Sequence, residues 1–241
     1  MNNRQYKAVF FDLDGTLLPI DMDEFLKSYF AQLGQFATKR GYDPGLFSSS
    51  LGKATHAMTQ SSGGLNEERF WNTFLPLMGG SREEHEAFLL EFYEGTFNDL
   101  GANVVPNPAA PEIIKTLKDK GYTLYLTTMP LFPRIAVENR LRWAGCDPES
   151  FDRITTYDNS TSTKPHVEYY QENIDHIGLN ASDILMVGNN TNEDLSAMKL
   201  GCDGYLVTDC LLDPINFDIE SVKHGSLKDF LEFVKQLPEC E

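Results

Sequence analysis

Positive charge is scarce in this chain: 20 Lys and Arg stand against 36 Asp and Glu in 241 residues, a net charge of −16. Such a field repels nucleic acid and anionic membrane, and it opposes an anionic small molecule unless positive charge is gathered at one place. Cysteine is equally sparse. Cys146, Cys202, Cys210 and Cys240 form no Cys-x-x-Cys pair, so neither a disulfide framework nor a thiolate zinc site is expected, and reduced thiols are the default. No run approaches the roughly 18 unbroken apolar residues that a membrane span needs. The polar stretch from Met1 to Lys7 leads straight into an apolar run without a signal-peptide pattern, which predicts a cytoplasmic protein. Internal repeats and low-complexity linkers are lacking, and His56, His85, His166, His176 and His224 show no metal-ligand spacing.

What is present is a chain of 41% hydrophobic and 12% aromatic residues, enough for one large core or a core plus a smaller unit. Ala8-Val9-Phe10-Phe11 reads as a buried strand. Helical periodicity then takes over. Asp21 with Glu24 caps a helix carrying Phe25, Leu26, Tyr29, Phe30, Leu33 and Phe36, ended by Gly41. A weaker helix is expected over Leu51 to Met58, then a loop at Ser61-Ser62-Gly63-Gly64, then a helix capped by Asn66, and finally one opened by the Ser81/Glu84 capping box. Trp71, like Trp143, falls in an apolar helical pattern and reads as core filling.

From about Val104 helices and strands alternate: a helix opened by Pro111, a strand from Tyr122 to Thr127, a helix from Phe132 to Ala144 and a strand near Arg153 to Thr156. A helix from Pro165 to Ile177, a strand from Asp183 to Val187, a helix from Glu193 to Leu200, a strand from Tyr205 to Thr208 and a last helix from Ser226 to Leu237 follow. This alternation predicts an α/β fold with a doubly wound parallel sheet. Its core spans 1–18 and 103–241, and a small all-helical cap domain, 19–102, is inserted after the first strand and lies over the strand ends as a lid.

Chemistry concentrates at Asp12-Leu13-Asp14-Gly15-Thr16, where the first strand ends. Strand alternation puts Asp12 and Asp14 on one side and Leu13 on the other. An acidic turn accounts for Asp14-Gly15 but not for a carboxylate at Asp12, still inside the apolar pattern, where an unpaired charge is costly. A divalent cation would let both stay ionised, and a proton could serve instead. Three weaker signals end later strands: the hydroxyls Thr127-Thr128, Lys164 before Pro165, and Val187-Gly188-Asn189-Asn190 with Glu193 and Asp194. Taken singly these are β-propensity, a surface lysine and a turn. Together, in that order and on one sheet edge, they make a site.

In these motifs the chain resembles the haloacid dehalogenase superfamily of hydrolases, in its phosphatase branch with a helical cap, over 1–18 and 103–210. The resemblance implies a Mg²⁺-dependent phosphomonoester hydrolase with Asp12 as nucleophile and Asp14 as general acid and base. Thr127 and the main-chain N–H groups of Leu13 and Thr128 would hold the phosphoryl oxygens, and Lys164 would neutralise the shared charge. It also implies metal ligands from Asp12, the Asp14 carbonyl and the last loop, here Asn189 or Asn190 with Asp194. The chain departs from the family there: Gly188 is followed by Asn where an Asp is usual, which forfeits a negative charge and predicts weaker metal binding. Dehalogenases proper lack the second Asp, so Asp14 favours phosphate chemistry.

The expected partner is a small phosphorylated metabolite, since a closing cap limits substrate size; nucleic acid and membrane are not expected. Arg134, soon after the Thr127 strand, is a candidate substrate contact, whereas Lys53, His56 and Arg69 read as solvated. A catalytically weak phospho-ligand binder and a phosphomutase remain as alternatives.

Overall fold

The computed structural model describes residues 5–60 and 63–240. Ser61-Ser62 of the expected loop, and the start of the polar stretch before the first strand, lie outside the described residues. Six parallel strands form one sheet: β1 (Ala8–Phe11), β2 (Thr123–Leu126), β3 (Arg153–Ile154), β4 (Ile184–Gly188), β5 (Asp203–Val207) and β6 (Lys223–Gly225), in the order β3-β2-β1-β4-β5-β6. The chain leaves β1 in one direction to build β2 and β3 and in the other to build β4, β5 and β6, so β1 and its neighbours flank the crevice where doubly wound sheets bind ligands.

All four β1 residues are buried, because both sheet faces are covered. Val9 and Phe11 face one way with Leu124, Leu126 and Val187, against α5 (Ala109–Asp119), α6 (Arg134–Trp143) and α8 (Leu227–Gln236). Ala8 and Phe10 face the other, with Tyr125 and Met186, against Tyr169, Tyr170 and Ile174 of α7 (Val167–Ile177). The Phe10 and Tyr125 rings stack at 5.1 Å.

Between β1 and α5 lie α1 (Met22–Lys39), α2 (Pro44–Thr59), α3 (Asn66–Met78), α4 (Arg82–Glu94) and a 3-10 stretch, Thr96–Gly101. They share an aromatic cluster that includes Phe25, Tyr29, Phe47, Phe70, Trp71, Phe74, Phe92 and Phe97. This cluster is continuous with the sheet unit: Ala136 of α6 belongs to it, and Phe132 and Trp143 pack against it. The start of α3 is fastened as well, with Asn66 N and Glu67 N donating to the carbonyls of Ser160 and Tyr157, each at 2.9 Å.

Several elements differ from expectation. Helix α2 begins seven residues before Leu51, because the Asp43 side chain accepts from Leu46 N and Pro44 needs no amide partner. Asn66 is not a cap: Leu65 holds that position, and the buried Asn66 amide donates to the carbonyls of Pro130 (3.0 Å) and Ser162 (3.1 Å). The helix expected from Glu193 is a 3-10 stretch, Leu195–Leu200. There the Asn190 side chain accepts from the Asn192 and Glu193 amides, a local bond that competes with α-helical pairing.

Candidate active site

Strand register gathers the signals. Phe11 pairs with Leu126 on one side and Val187 on the other, so Asp12, Thr127 and Gly188 stand level at three adjoining carboxyl ends. Asp12 N donates to Val187 O at 2.9 Å and Thr127 N to Phe11 O at 2.7 Å, which extends the ladder one residue past the strands and holds both in place. Leu13 points into the core, as alternation requires. Thr128 is fixed through its carbonyl, which accepts from Thr155 Oγ1 (3.0 Å) and Tyr169 Oη (2.7 Å).

Lys164, brought in just before α7, is the centre of charge. Its Nζ lies 2.7 Å from Asp12 Oδ1 and 2.6 Å from Asp194 Oδ1, and its side chain is 1% exposed. Burial alone would lower its pKa, but Asp12 and then Asp194 hold it well above the usual lysine value. Burial pushes the Asp194 carboxyl up to about 7 in spite of Lys164. The second Asp194 oxygen accepts from Asn190 N at 2.9 Å, so this carboxylate is taken up in holding Lys164 and its own loop.

Glycine is required at two places. Gly15 has φ +87°, and a Cβ there would strike the Asn189 amide; a Cβ on Gly188 would run into the Asp194 carboxyl. Gly188→Ala is therefore expected to cost about 1–3 kcal/mol of stability through overpacking. Chemical denaturation measures it, and an unchanged midpoint would contradict the close approach.

Thr16 Oγ1 lies 3.0 Å from Asp12 Oδ2 and 3.2 Å from Asn189 Oδ1, so one charged and one neutral oxygen converge on a single hydroxyl. Asn189 is oriented by its Nδ2, which donates to Cys210 O at 2.6 Å. Asn190 turns back on its own loop. Among the described residues no group of three or more His, Cys, Asp or Glu is placed to hold a metal. The donor set of Asp12 and Asn189 fits a hard, oxygen-seeking cation that keeps several waters, rather than a soft metal.

Asp14 is paired with a residue that sequence reasoning missed. Arg140 Nη1 of α6 donates to Asp14 Oδ2, and the two side chains are 1% and 6% exposed. Burial raises the Asp14 carboxyl above the ordinary carboxylate range against the pull of Arg140, and the Asp12 charge adds to the rise. The available signal was a charged residue on the buried face of α6, with Ala136, Val137 and Leu141. Arg134, the residue expected to reach substrate, is not brought here. It opens α6, is half-exposed, and donates to Glu138 Oε1 at 2.7 Å, the neighbour one turn on. The Thr127 hydroxyl donates at 3.3 Å to Phe11 O, deep between the strands, and must turn outward to meet a ligand.

A family model described as haloacid dehalogenase-like hydrolase matches residues 6–201. Pyrophosphatase PpaX of Halalkalibacterium halodurans is 28% identical over 199 residues, covering 82% of this chain and 81% of that protein. A glyceraldehyde 3-phosphate phosphatase of Methanothermobacter thermautotrophicus is 27% identical over 237 residues, covering 97% and 98%. The crystal structure of a HAD phosphatase from Thermococcus onnurineus superposes with a TM-score of 0.60 at 18% identity, over 97% of this chain and 99% of that one, a likeness of fold.

Proposed function

We propose, from the premise that this chain belongs to the haloacid dehalogenase-like hydrolase family, that it hydrolyses small phosphomonoesters with Mg²⁺ through a phosphorylated Asp12. Relatives named as a pyrophosphatase and a glyceraldehyde 3-phosphate phosphatase support phosphate chemistry. The observation that carries the reading is Lys164 locked at 2.7 Å to Asp12 at the sheet's rim. A buried carboxylate with its charge shared by an ammonium suits a nucleophile that must accept an anionic phosphoryl group.

Asp12 would attack phosphorus, forming an aspartyl phosphate, while Asp14 protonates the departing alcohol oxygen. Asp14 would next take a proton from the water that opens the intermediate. Thr127, Lys164 and the Leu13 and Thr128 amides would hold the phosphoryl oxygens. Asp12, Asn189 and the Asp14 main-chain carbonyl would hold Mg²⁺, which when bound supplies positive charge beside the phosphoryl group. Asp194 serves this site as the second partner of Lys164. The helical segment 19–102, read as a cap domain on the core of 1–18 and 103–241, would exclude water and bulky substrates.

The test is p-nitrophenyl phosphate hydrolysis with and without Mg²⁺. Turnover that appears only with the ion supports the reading; metal-independent turnover, or none, overturns it. Asn189 motivates a second reading, a weakly active phospho-ligand binder. Asn189→Asp is expected to lower the half-saturating Mg²⁺ concentration about tenfold, because a full charge faces the ion. The same change should cost about 1 kcal/mol of stability, since the bond to Cys210 O is lost. If the natural protein already equals the variant in rate at every Mg²⁺ concentration, the weak-binder reading fails.

A further inference from the structure

Arg140 is fixed from three directions. Its Nε donates to Ala136 O at 3.3 Å within α6, and its guanidinium lies 4.5 Å from the centre of the Phe132 ring, in the segment after β2. The Phe25 ring of α1 lies 5.9 Å away on the helical side. These contacts hold the guanidinium on the α6 side of Asp14, and its Nη2 is buried with no hydrogen-bond partner, so Asp14 is its ionic anchor. Of the two Asp14 oxygens, Oδ2 is tied to Arg140, while Oδ1 is buried with no hydrogen-bond partner. A buried ion pair is a poor device for stability, since well-packed apolar residues do as well, so its presence beside the proposed nucleophile asks for another reason.

We propose that Arg140 is the positioning residue for Asp14, pinning one carboxyl oxygen so that the other is presented to the leaving group. The inference rests on Asp14 being the general acid. In that step Asp12 forms a bond to phosphorus, the bond from phosphorus to the ester oxygen breaks, and its electron pair goes to that oxygen. The oxygen takes the proton from Asp14 Oδ1, which leaves Asp14 ionised against the guanidinium. A misdirected acid matters little when the leaving group departs readily as an anion and greatly when it does not.

The experiment compares kcat/KM for p-nitrophenyl, phenyl and benzyl phosphate, esters of similar shape and increasingly poor leaving groups, because kcat/KM reports the steps up to leaving-group departure. For Arg140→Met the loss should grow from the first ester to the last by about 10- to 100-fold. Arg140→Lys should recover part of it, and Asp14→Asn should show the same trend more steeply. The double variant should be no worse than Asp14→Asn alone on benzyl phosphate. An equal loss on all three esters, as a structural role would give, or additive losses in the double variant, overturns the proposal. If Arg140→Met does not fold, Arg140→Lys on the same series decides, with a graded loss supporting and an even one overturning. A flat profile for Asp14→Asn removes Asp14 as the acid and the positioning role with it, whereas a graded Asp14→Asn with an even Arg140→Met overturns the positioning role alone.

Discussion

Asp12→Asn is expected to abolish hydrolysis of p-nitrophenyl phosphate, by at least about four orders of magnitude, as removal of a covalent nucleophile does elsewhere. An amide cannot form a stable acyl phosphate, and it keeps the shape of the side chain. The fold should survive. An amide oxygen at this position can still accept from Lys164 Nζ while the amide nitrogen donates to Thr16 Oγ1, and Lys164 retains Asp194 at 2.6 Å. One negative charge is also removed from beside Asp14 and Asp194, both of which the Asp12 charge pushes upward. The variant should therefore stay folded, melting modestly below the parent because Lys164 loses one of its two counter-charges, while showing no turnover. Activity within tenfold of the parent would reject Asp12 as the nucleophile; a collapsed melting temperature would make Asp12 a structural residue.

Lys164→Met should damage both activity and stability. The ammonium is sandwiched between Asp12 and Asp194, all three are buried, and Met leaves two carboxylates facing each other without compensation. Breaking a buried pair from one side costs about 3–5 kcal/mol. The sign of the pH dependence follows from linkage. Without Lys164 the folded-state pKa of Asp194, already about 7, rises further above the unfolded carboxylate value. The folded state then binds more protons than the unfolded one, so the stability of the variant falls as pH rises from 5 to 8 and the deficit is smaller at the acid end. Denaturation midpoints at the two pH values measure it. Turnover should fall by about 10²- to 10³-fold, as when a charge-stabilising group is lost. A deficit that is constant with pH would show that Lys164 acts through packing rather than charge.

How far the chain could be read in advance depended on the range of the interactions. Asp12 stood out because a carboxylate inside an apolar strand is locally anomalous, and Asp21, Ser81 and Glu84 were legible because capping is completed within four residues. Strand β6 carries Lys223, His224 and Gly225, two of them exposed; it exists because β5 lends it a main-chain ladder, and nothing in those side chains announces it. Arg134 drew attention by being near Thr127 in sequence, yet its side chain finds Glu138 on its own helix.

The sequence by itself determined the strand order of chemistry and the pattern of burial: Asp12, Thr127, Lys164 and the Asn189 loop come in turn after apolar segments, and side-chain alternation and periodicity are properties of neighbouring residues. Tertiary structure alone decided the partners. Asp14 meets Arg140 across 126 positions and Lys164 meets Asp12 across 152, and each pairing follows from how α6 and the segment before α7 pack against the sheet. Burial makes those pairings strong, because a charge withdrawn from water must find its counter-charge within the fold.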